Sequence, residues 1–178
     1  MNRARRAAFW ATALAGASLD LASKSLVFSL VREGRTLPLV PPLLSLQLVT
    51  NRGIAGGLFP GSAWGVVSLA AVPLIAVAFL RRAPSGGTPT LAGALLLAGA
   101  LGNAWDRLFL GRVRDFILVP GIPNFNLADA MLNAGMALLL LDWIVHERRP
   151  LGEARPAPAP QPDDGGFGDV GRDHGPRP

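Results

Sequence analysis

The chain has 178 residues, of which 50% are hydrophobic and only 16% are charged, and its formal net charge is +5 at pH 7. This balance excludes an ordinary soluble domain and is typical of a small polytopic membrane protein. The arginines flank the apolar segments, so the charge does not indicate nucleic-acid binding, and the absence of cysteine excludes disulfides, thiolate metal sites and a cysteine nucleophile.

Four apolar segments are long enough, or nearly so, to cross a hydrocarbon core, which takes about 20 residues. They cover residues 7–31, 63–80, 91–110 and 128–145. The basic start of the first segment resembles that of a cleavable signal peptide, but its apolar run continues beyond the length of a signal core. The sequence therefore predicts an all-α membrane protein with four transmembrane helices in one domain, residues 1–149.

The distribution of arginine predicts that both termini lie in the cytoplasm, because cytoplasmic flanks carry the excess of basic residues. With the N-terminus inside, the cytoplasmic side holds Arg3, Arg5, Arg6, Arg81, Arg82, Arg148, Arg149, Arg155, Arg172 and Arg177. The outer side then holds Arg32, Arg35, Arg52, Arg112 and Arg114. Residues 150–178 are rich in proline and glycine and predict a disordered cytoplasmic tail.

The first outer connection, residues 32–62, contains the segment LSLQLVTN, in which apolar and polar residues alternate. Such alternation is typical of a short strand. With the following glycine-rich segment GIAGG it predicts a small extracytoplasmic β platform after the first helix. An unstructured loop is the alternative.

Polar residues of three predicted spans converge on the outer third of the membrane. A rise of 1.5 Å per residue puts Asp20 about 20 Å across a core about 30 Å thick, and Lys24 follows one turn later on the same face. Asn103, Asp106 and Arg107 share one face near the outer end of the third span. Ionisable groups within spans normally face the protein interior and mark function, although Asp20–Lys24 and Asp106–Arg107 could also be ion pairs that only join helices.

Asp115 and Asp129 are the two carboxylates best placed for chemistry. Pro120, Gly121 and Pro123 lie between them and predict a turn, which can bring the two side chains together at the outer rim of the membrane. Two adjacent carboxylates share one proton, so that one can activate a water while its protonated partner polarises a carbonyl, without a metal or cofactor.

Each aspartate also has a structural interpretation. Asn126 precedes Asp129 by three positions, so Asp129 could simply complete the N-terminal cap of a helix. Asp115 could be a surface loop acid that is paired with Arg112 or Arg114.

Other chemistries and other classes of protein are less well supported. His146 and His174 lie at the inner end and in the tail, away from the outer rim, so they cannot form a triad or a zinc site there. A dyad of Lys24 with Ser18, Ser23 or Ser25 remains open, whereas Asp106, Asp115 and Asp129 lack the spacing expected of a cation site. A small transporter or proton relay, and a purely structural scaffold, are the alternatives to an enzyme.

Five short motifs give the chain a resemblance to the lipoprotein signal peptidase (signal peptidase II) family over about residues 8–147. In chain order they are LDLASK, NRGIAGGLF, GNAWDRL, GRVRDFI and FNLADA. The resemblance implies an aspartic endopeptidase of the bacterial cytoplasmic membrane, monomeric and in contact with membrane lipids. It would cleave a prolipoprotein on the amino side of its lipid-modified cysteine.

The same resemblance assigns roles by motif. Asp115 and Asp129 match the catalytic pair of the family. The matching supporting or substrate-binding positions are Asn51, Gly53, Asn103, Arg107, Asn126, Asp20 and Lys24. Three positions depart from the family pattern: Gly56 stands where a phenylalanine is usual, Arg114 where an apolar residue is common, and Ala130 where a hydroxyl residue is frequent. Arg114 is expected to lower the pKa of its neighbour Asp115.

Overall fold

The computed structural model describes residues 2–51, 74, 75, 78 and 87–147. These residues contain three long helices, α1 (Arg3–Leu30), α2 (Gly87–Leu110) and α3 (Leu127–Glu147). The three helices correspond to the first, third and fourth predicted spans. Most of the second predicted span and the whole predicted tail lie outside the described residues.

Helix α1 begins at an N-cap and packs one apolar face against α2. The Asn2 side chain accepts a hydrogen bond from the Arg5 N–H at 2.9 Å, which satisfies one of the free donors of the first turn. Further along, the buried side chains of Phe9 and Ala13 form a core cluster with Ala94 and Leu97 of α2. This contact fixes the position of α1 beside the helix that carries Asn103 and Asp106.

Helix α2 lies between α1 and α3 and approaches α3 closely at glycines. A Cβ at Gly99 would overlap the carbonyl oxygen of Ala128, and a Cβ at Gly135 would lie 2.8 Å from the carbonyl oxygen of Ala92. Both glycines therefore allow backbone-to-backbone contact, which is how helices pack in membranes, where small residues line the interface.

A three-stranded antiparallel sheet joins the helix ends, with strand order β1 (Thr36–Val40), β2 (Leu44–Asn51) and β3 (Val113–Leu118). Strand β2 coincides with the alternating segment LSLQLVTN, so the strand predicted there is confirmed. Strand β3 was not predicted, because its sequence VRDFIL does not alternate. The predicted all-α class is corrected accordingly: the fold combines helices with a sheet.

Two of the described helices are long and apolar enough to cross a membrane by length and composition, Arg3–Leu30 and Leu127–Val145. Large apolar side chains on both are exposed, including Leu19 and Leu30 of α1 and Leu141 and Trp143 of α3. In a soluble protein such surfaces would be a liability, whereas lipid covers them in a membrane protein.

Candidate active site

The connection between β3 and α3 is a tight hairpin-like return. The predicted turn forms at Val119–Ile122, where the Ile122 N–H donates to the Val119 carbonyl at 3.3 Å and Gly121 has φ 87°. Phe125 then pairs with Ile117 in an isolated antiparallel bridge. This return brings Asn126, the next residue, alongside the middle of β3.

Asp115 lies in β3, with its side chain buried at 3% exposure. Val49 is its partner residue in β2, and the Asn51 side chain at the end of β2 forms a hydrogen bond with the Asp115 carboxyl. The interpretation of Asp115 as a surface loop acid is therefore wrong. Asp115 lies on a strand of the sheet and not in the loop that this interpretation assumed.

Asp129 forms a reciprocal cap with Asn126 at the start of α3. The Asn126 Oδ1 atom accepts from the Asp129 N–H at 3.0 Å, and the Asp129 Oδ2 atom accepts from the Asn126 N–H at 3.3 Å. The capping interpretation is thus confirmed. The other oxygen of the same carboxylate, Oδ1, accepts a bond of 2.7 Å from the Asn103 side chain, so the cap leaves Asp129 connected to α2 as well.

Two buried amides link the two aspartates. The Asn126 Nδ2 atom donates to Asp115 Oδ1 at 2.7 Å and to Asn103 Oδ1 at 3.2 Å, while Asn103 Nδ2 donates to Asp129. Asn126 is fully buried and Asn103 is 6% exposed. The network runs from Asp115 through Asn126 and Asn103 to Asp129, across one strand and two helices, and it brings the predicted pair into one site.

The electrostatics of the site raise the pKa of Asp115. Its pKa is raised from the ordinary value of 3.8 to about 6, first because burial removes water from the carboxylate and second because of the negative charge of Asp129. Hydrogen bonds from Asn126 and Asn51 and the positive charge of Lys24 oppose this rise. The two carboxyl groups therefore interact, and Asp115 holds a proton more tightly than an isolated aspartate.

Arg107 directs its charge towards the two aspartates. It is half-buried on α2, and its Nη1 atom donates to the Asn103 carbonyl oxygen at 3.4 Å. Its charge interacts more strongly with Asp129 and Asp115 than with Asp106. Arg107 therefore supplies positive charge close to the two aspartates.

The predicted pair on α1, Asp20 and Lys24, contacts the two helices that carry Asn103 and Asp129. Lys24 Nζ lies 2.7 Å from Asp20 Oδ2, which confirms the expected contact at i and i+4, and both side chains are fully buried. Asp20 Oδ1 accepts from the N–H of Ala128 in the first turn of α3 at 2.8 Å, and Lys24 Nζ donates to Asn103 Oδ1 at 3.0 Å. The pair thereby connects α1 to both neighbouring helices.

Asp106 has partners that the sequence did not indicate. Arg114 Nη2 lies 2.8 Å from Asp106 Oδ1, and Lys24 Nζ lies 3.5 Å from Asp106 Oδ2. The expectation that Arg114 lowers the pKa of Asp115 is wrong, because the Arg114 guanidinium binds Asp106 and the groups that act on the pKa of Asp115 are Asp129, Asn126, Asn51 and Lys24. Side chains alternate along a strand, so neighbouring residues of β3 point to opposite faces.

The alternative of a serine–lysine dyad finds no support in this geometry. Ser23 and Ser25 donate to the carbonyl oxygens of Asp20 and Leu21 at 2.8 Å, as helix serines commonly do, and the Lys24 ammonium is held by carboxylates. Among residues 2–51 and 87–147, no group of three or more His, Cys, Asp or Glu side chains is arranged to hold a metal ion.

The remaining predicted positions are only partly described. Gly53 and Gly56 lie outside the described residues. Ala130 is half-buried in the first turn of α3, next to a carboxylate whose two oxygens already have partners in Asn103 and Asn126. The hydroxyl that is absent at Ala130 therefore leaves neither oxygen of Asp129 without a hydrogen bond.

The chain is similar in sequence to known signal peptidases. Residues 12–145 match the family described as Signal peptidase (SPase) II. Proteins named lipoprotein signal peptidase are 40% identical in Syntrophomonas wolfei, over 79% of this chain and 95% of the relative, and 40% identical in a Cyanothece species, over 87% and 94%. A third, from Symbiobacterium thermophilum, is 34% identical over 77% of this chain and 94% of the relative.

Two solved structures, each described as a bacterial membrane enzyme, share the fold. One has a TM-score of 0.77 and 24% identity over 84% of this chain and 95% of its own. The other has a TM-score of 0.71 and 26% identity over 78% of this chain and 93% of its own. The chain therefore belongs to the signal peptidase II family of membrane peptidases.

Proposed function

We propose that this chain removes the signal peptide from bacterial prolipoproteins and does so as an aspartic endopeptidase, with Asp115 and Asp129 as its catalytic residues. The observation that carries the proposal is the network in which Asn126 and Asn103 connect these two buried or half-buried carboxyl groups. The family supplies the substrate class, and the electrostatic interaction between the two groups supports the chemistry.

In the proposed reaction Asp129 is the base and Asp115 carries the proton in the active form of the enzyme. Asp129 lies in the first turn of α3, where its carboxylate accepts hydrogen bonds from the Asn103 side chain and the Asn126 backbone N–H, close to the positive charge of Arg107. Asp115 is more deeply buried, which favours its neutral form.

The carboxylate of Asp129 takes a proton from water as the water oxygen attacks the carbonyl carbon of the scissile peptide bond. Asp115 donates its hydrogen bond, and then its proton, to the carbonyl oxygen. When the C–N bond breaks, Asp129 returns its proton to the leaving amine and Asp115 takes back the proton of the tetrahedral oxygen. Atoms and charges balance without a metal or cofactor.

The proposed setting is the bacterial cytoplasmic membrane. The chain crosses it four times within residues 1–149, with both termini and the tail of residues 150–178 in the cytoplasm, and the enzyme acts as a monomer. The site then lies near the extracytoplasmic face, where a lipid-modified cysteine keeps its acyl chains in the bilayer and presents the peptide bond on its amino side. Asn51, at the end of β2, flanks the path of the extended peptide in this proposal.

The test is cleavage of a lipid-modified precursor by the purified full-length protein. Asp115→Asn and Asp129→Asn should each abolish cleavage, because neither can complete the proton transfers. Asp142→Asn, a change of the same kind thirteen residues further along α3, should cleave as the wild type does. Near-normal cleavage by either of the first two variants would remove the proposed mechanism, and equal cleavage of a precursor without the lipid would remove the proposed specificity.

The proposed orientation has its own test. Because the sequence has no cysteine, a single cysteine can be introduced at exposed Ile122, beyond β3, or at exposed Asn2, before α1. A membrane-impermeant thiol reagent added to intact spheroplasts should label the first and not the second. Labelling in the opposite order would overturn the proposed topology.

A further inference from the structure

Arg114 joins three elements of the fold through contacts that the sequence did not predict. Its backbone N–H donates to Asp106 Oδ2 at 3.0 Å, and its guanidinium binds the same carboxylate through Nε, at 3.2 and 3.3 Å, and through Nη2, at 2.8 Å. Nη1 donates to Ser25 Oγ at 3.3 Å, and Cζ lies 5.9 Å from the centre of the Phe28 ring. A side chain of β3 is thus fixed against α2 and α1.

The surrounding charges form a balanced group of four. Asp20, Lys24 and Asp106 are fully buried, and the Arg114 side chain is 16% exposed. Two negative and two positive groups leave no net charge. A buried charge that loses its partner is strongly destabilised, so the remaining groups rearrange towards whichever partner is left.

The position of the Lys24 ammonium depends on how these four charged groups are paired. Its ammonium lies 2.7 Å from Asp20 and 3.0 Å from Asn103 Oδ1, but 3.5 Å from Asp106, whose closer partner is Arg114 at 2.8 Å. Arg114 therefore satisfies Asp106 and leaves Lys24 with Asp20 and Asn103.

The contact with Lys24 also orients the Asn103 amide. Lys24 and Asn126 both donate to Asn103 Oδ1, so the amide oxygen faces these two donors and Nδ2 is turned towards Asp129, at 2.7 Å. If the ammonium moved to Asp106, the amide would lose one of the two donors that fix its orientation. The hydrogen bond to Asp129 would then be less well defined.

We propose that Arg114 is a positioning residue for Asp129: by neutralising Asp106 it keeps the Lys24 ammonium on Asn103, and Asn103 in turn holds the carboxylate that acts as base. This inference rests on the proposed catalytic role of Asp129. It concerns geometry in the transition state and not the affinity for substrate, because Arg114 lies on the opposite face of β3 from Asp115.

The first experiment compares Arg114→Gln, Arg114→Lys and the matched control Arg112→Gln, an exposed arginine two residues earlier. Cleavage of a diacylglyceryl-modified precursor peptide is measured with the full-length protein in lipid nanodiscs. Arg114→Gln should lower kcat about ten-fold with KM changed less than about two-fold, since a base misplaced by a lost hydrogen bond reacts more slowly. Arg114→Lys keeps the charge and should recover most of kcat, and Arg112→Gln should match the wild type.

A double variant distinguishes a positioning role of Arg114 from a purely structural role. Asp106→Asn combined with Arg114→Gln removes both members of the pair, so nothing draws Lys24 away from Asn103. The double variant should therefore cleave several-fold faster than Arg114→Gln alone, and it should recover a folded protein if Arg114→Gln reduces folding.

Three results would overturn the inference. They are a kcat of Arg114→Gln within about two-fold of the wild type, an equal loss in Arg114→Lys, and a double variant no better than the single one. Asp129→Asn is measured in parallel: activity of that variant would instead refute the proposed mechanism, while its inactivity beside a fully active Arg114→Gln would refute only the role of Arg114.

Discussion

Replacing Asp115 by asparagine should abolish cleavage and yet make the folded protein more stable at neutral pH. The pKa of Asp115 is raised from 3.8 to about 6, so the folded state binds this proton more tightly than the unfolded state does. For a carboxyl with a raised pKa, stability falls as the pH rises from 3.8 to about 6, and the full cost is present above that range. A rise of this size corresponds to about 3 kcal/mol of unfolding free energy.

Asparagine resembles the neutral carboxylic acid in size and shape and removes this cost. It can still accept the hydrogen bond that the Asn126 side chain donates to Asp115. The variant should therefore exceed the wild type by about 3 kcal/mol at pH 8, and the difference should shrink to about 0.5 kcal/mol near pH 4, where the carboxyl of the folded state is neutral.

The measurement is reversible unfolding by sodium dodecyl sulfate in mixed micelles, followed by tryptophan fluorescence at pH 4, 6 and 8. The comparison at pH 4 is the internal control for effects of the substitution other than charge. If Asp115→Asn is no more stable than the wild type at pH 8, or if it gains equally at pH 4 and pH 8, the burial and charge repulsion inferred for Asp115 are refuted.

The remaining predictions concern the pH profile of cleavage and the packing and charges around Asp20 and Lys24. Because Asp115 must be protonated in the proposed reaction, kcat/KM should fall as the pH rises through about 6, and a profile flat from pH 5 to pH 8 would contradict this role. Gly102→Ala should lower stability by about 1–3 kcal/mol in the same unfolding assay, because its Cβ would overlap Asp20 Oδ2, whereas Gly87→Ala adds a Cβ in open space and should change it little. Lys24→Met leaves the buried Asp20 carboxylate without its cation and should lower the free energy of unfolding by about 3–5 kcal/mol, so a variant as stable as the wild type would disprove that charge arrangement.

Local periodicity in the sequence was sufficient for much of the fold. Apolar runs predicted the three described helices, alternation predicted the strand Leu44–Asn51, and Pro120 and Gly121 predicted the turn after β3. Each of these signals acts over a few neighbouring residues, where backbone geometry alone relates spacing to shape. Strand β3 escaped prediction because VRDFIL is buried on both faces at its centre and therefore shows no alternation.

Part of the candidate site could likewise be predicted from the sequence, and part could not. Spacing along one helix identified the contact between Asp20 and Lys24, and the three-residue interval identified the cap formed by Asn126 and Asp129. The turn between Asp115 and Asp129 indicated that they form a pair, and the family resemblance named Asn51 and Asn126 as supporting positions, but neither gave the hydrogen bonds that join Asp115 to these two residues.

Within the described residues, the sequence by itself determined which segments are helical and where the turn after β3 lies. Only the tertiary structure decided that Arg114 pairs with Asp106 and that Asp20 binds the backbone of Ala128, 108 residues away in the chain. The physical reason is that such partners depend on the crossing of helices and the register of strands. A hydrogen bond tolerates only a few tenths of an ångström, which no local pattern in the sequence specifies.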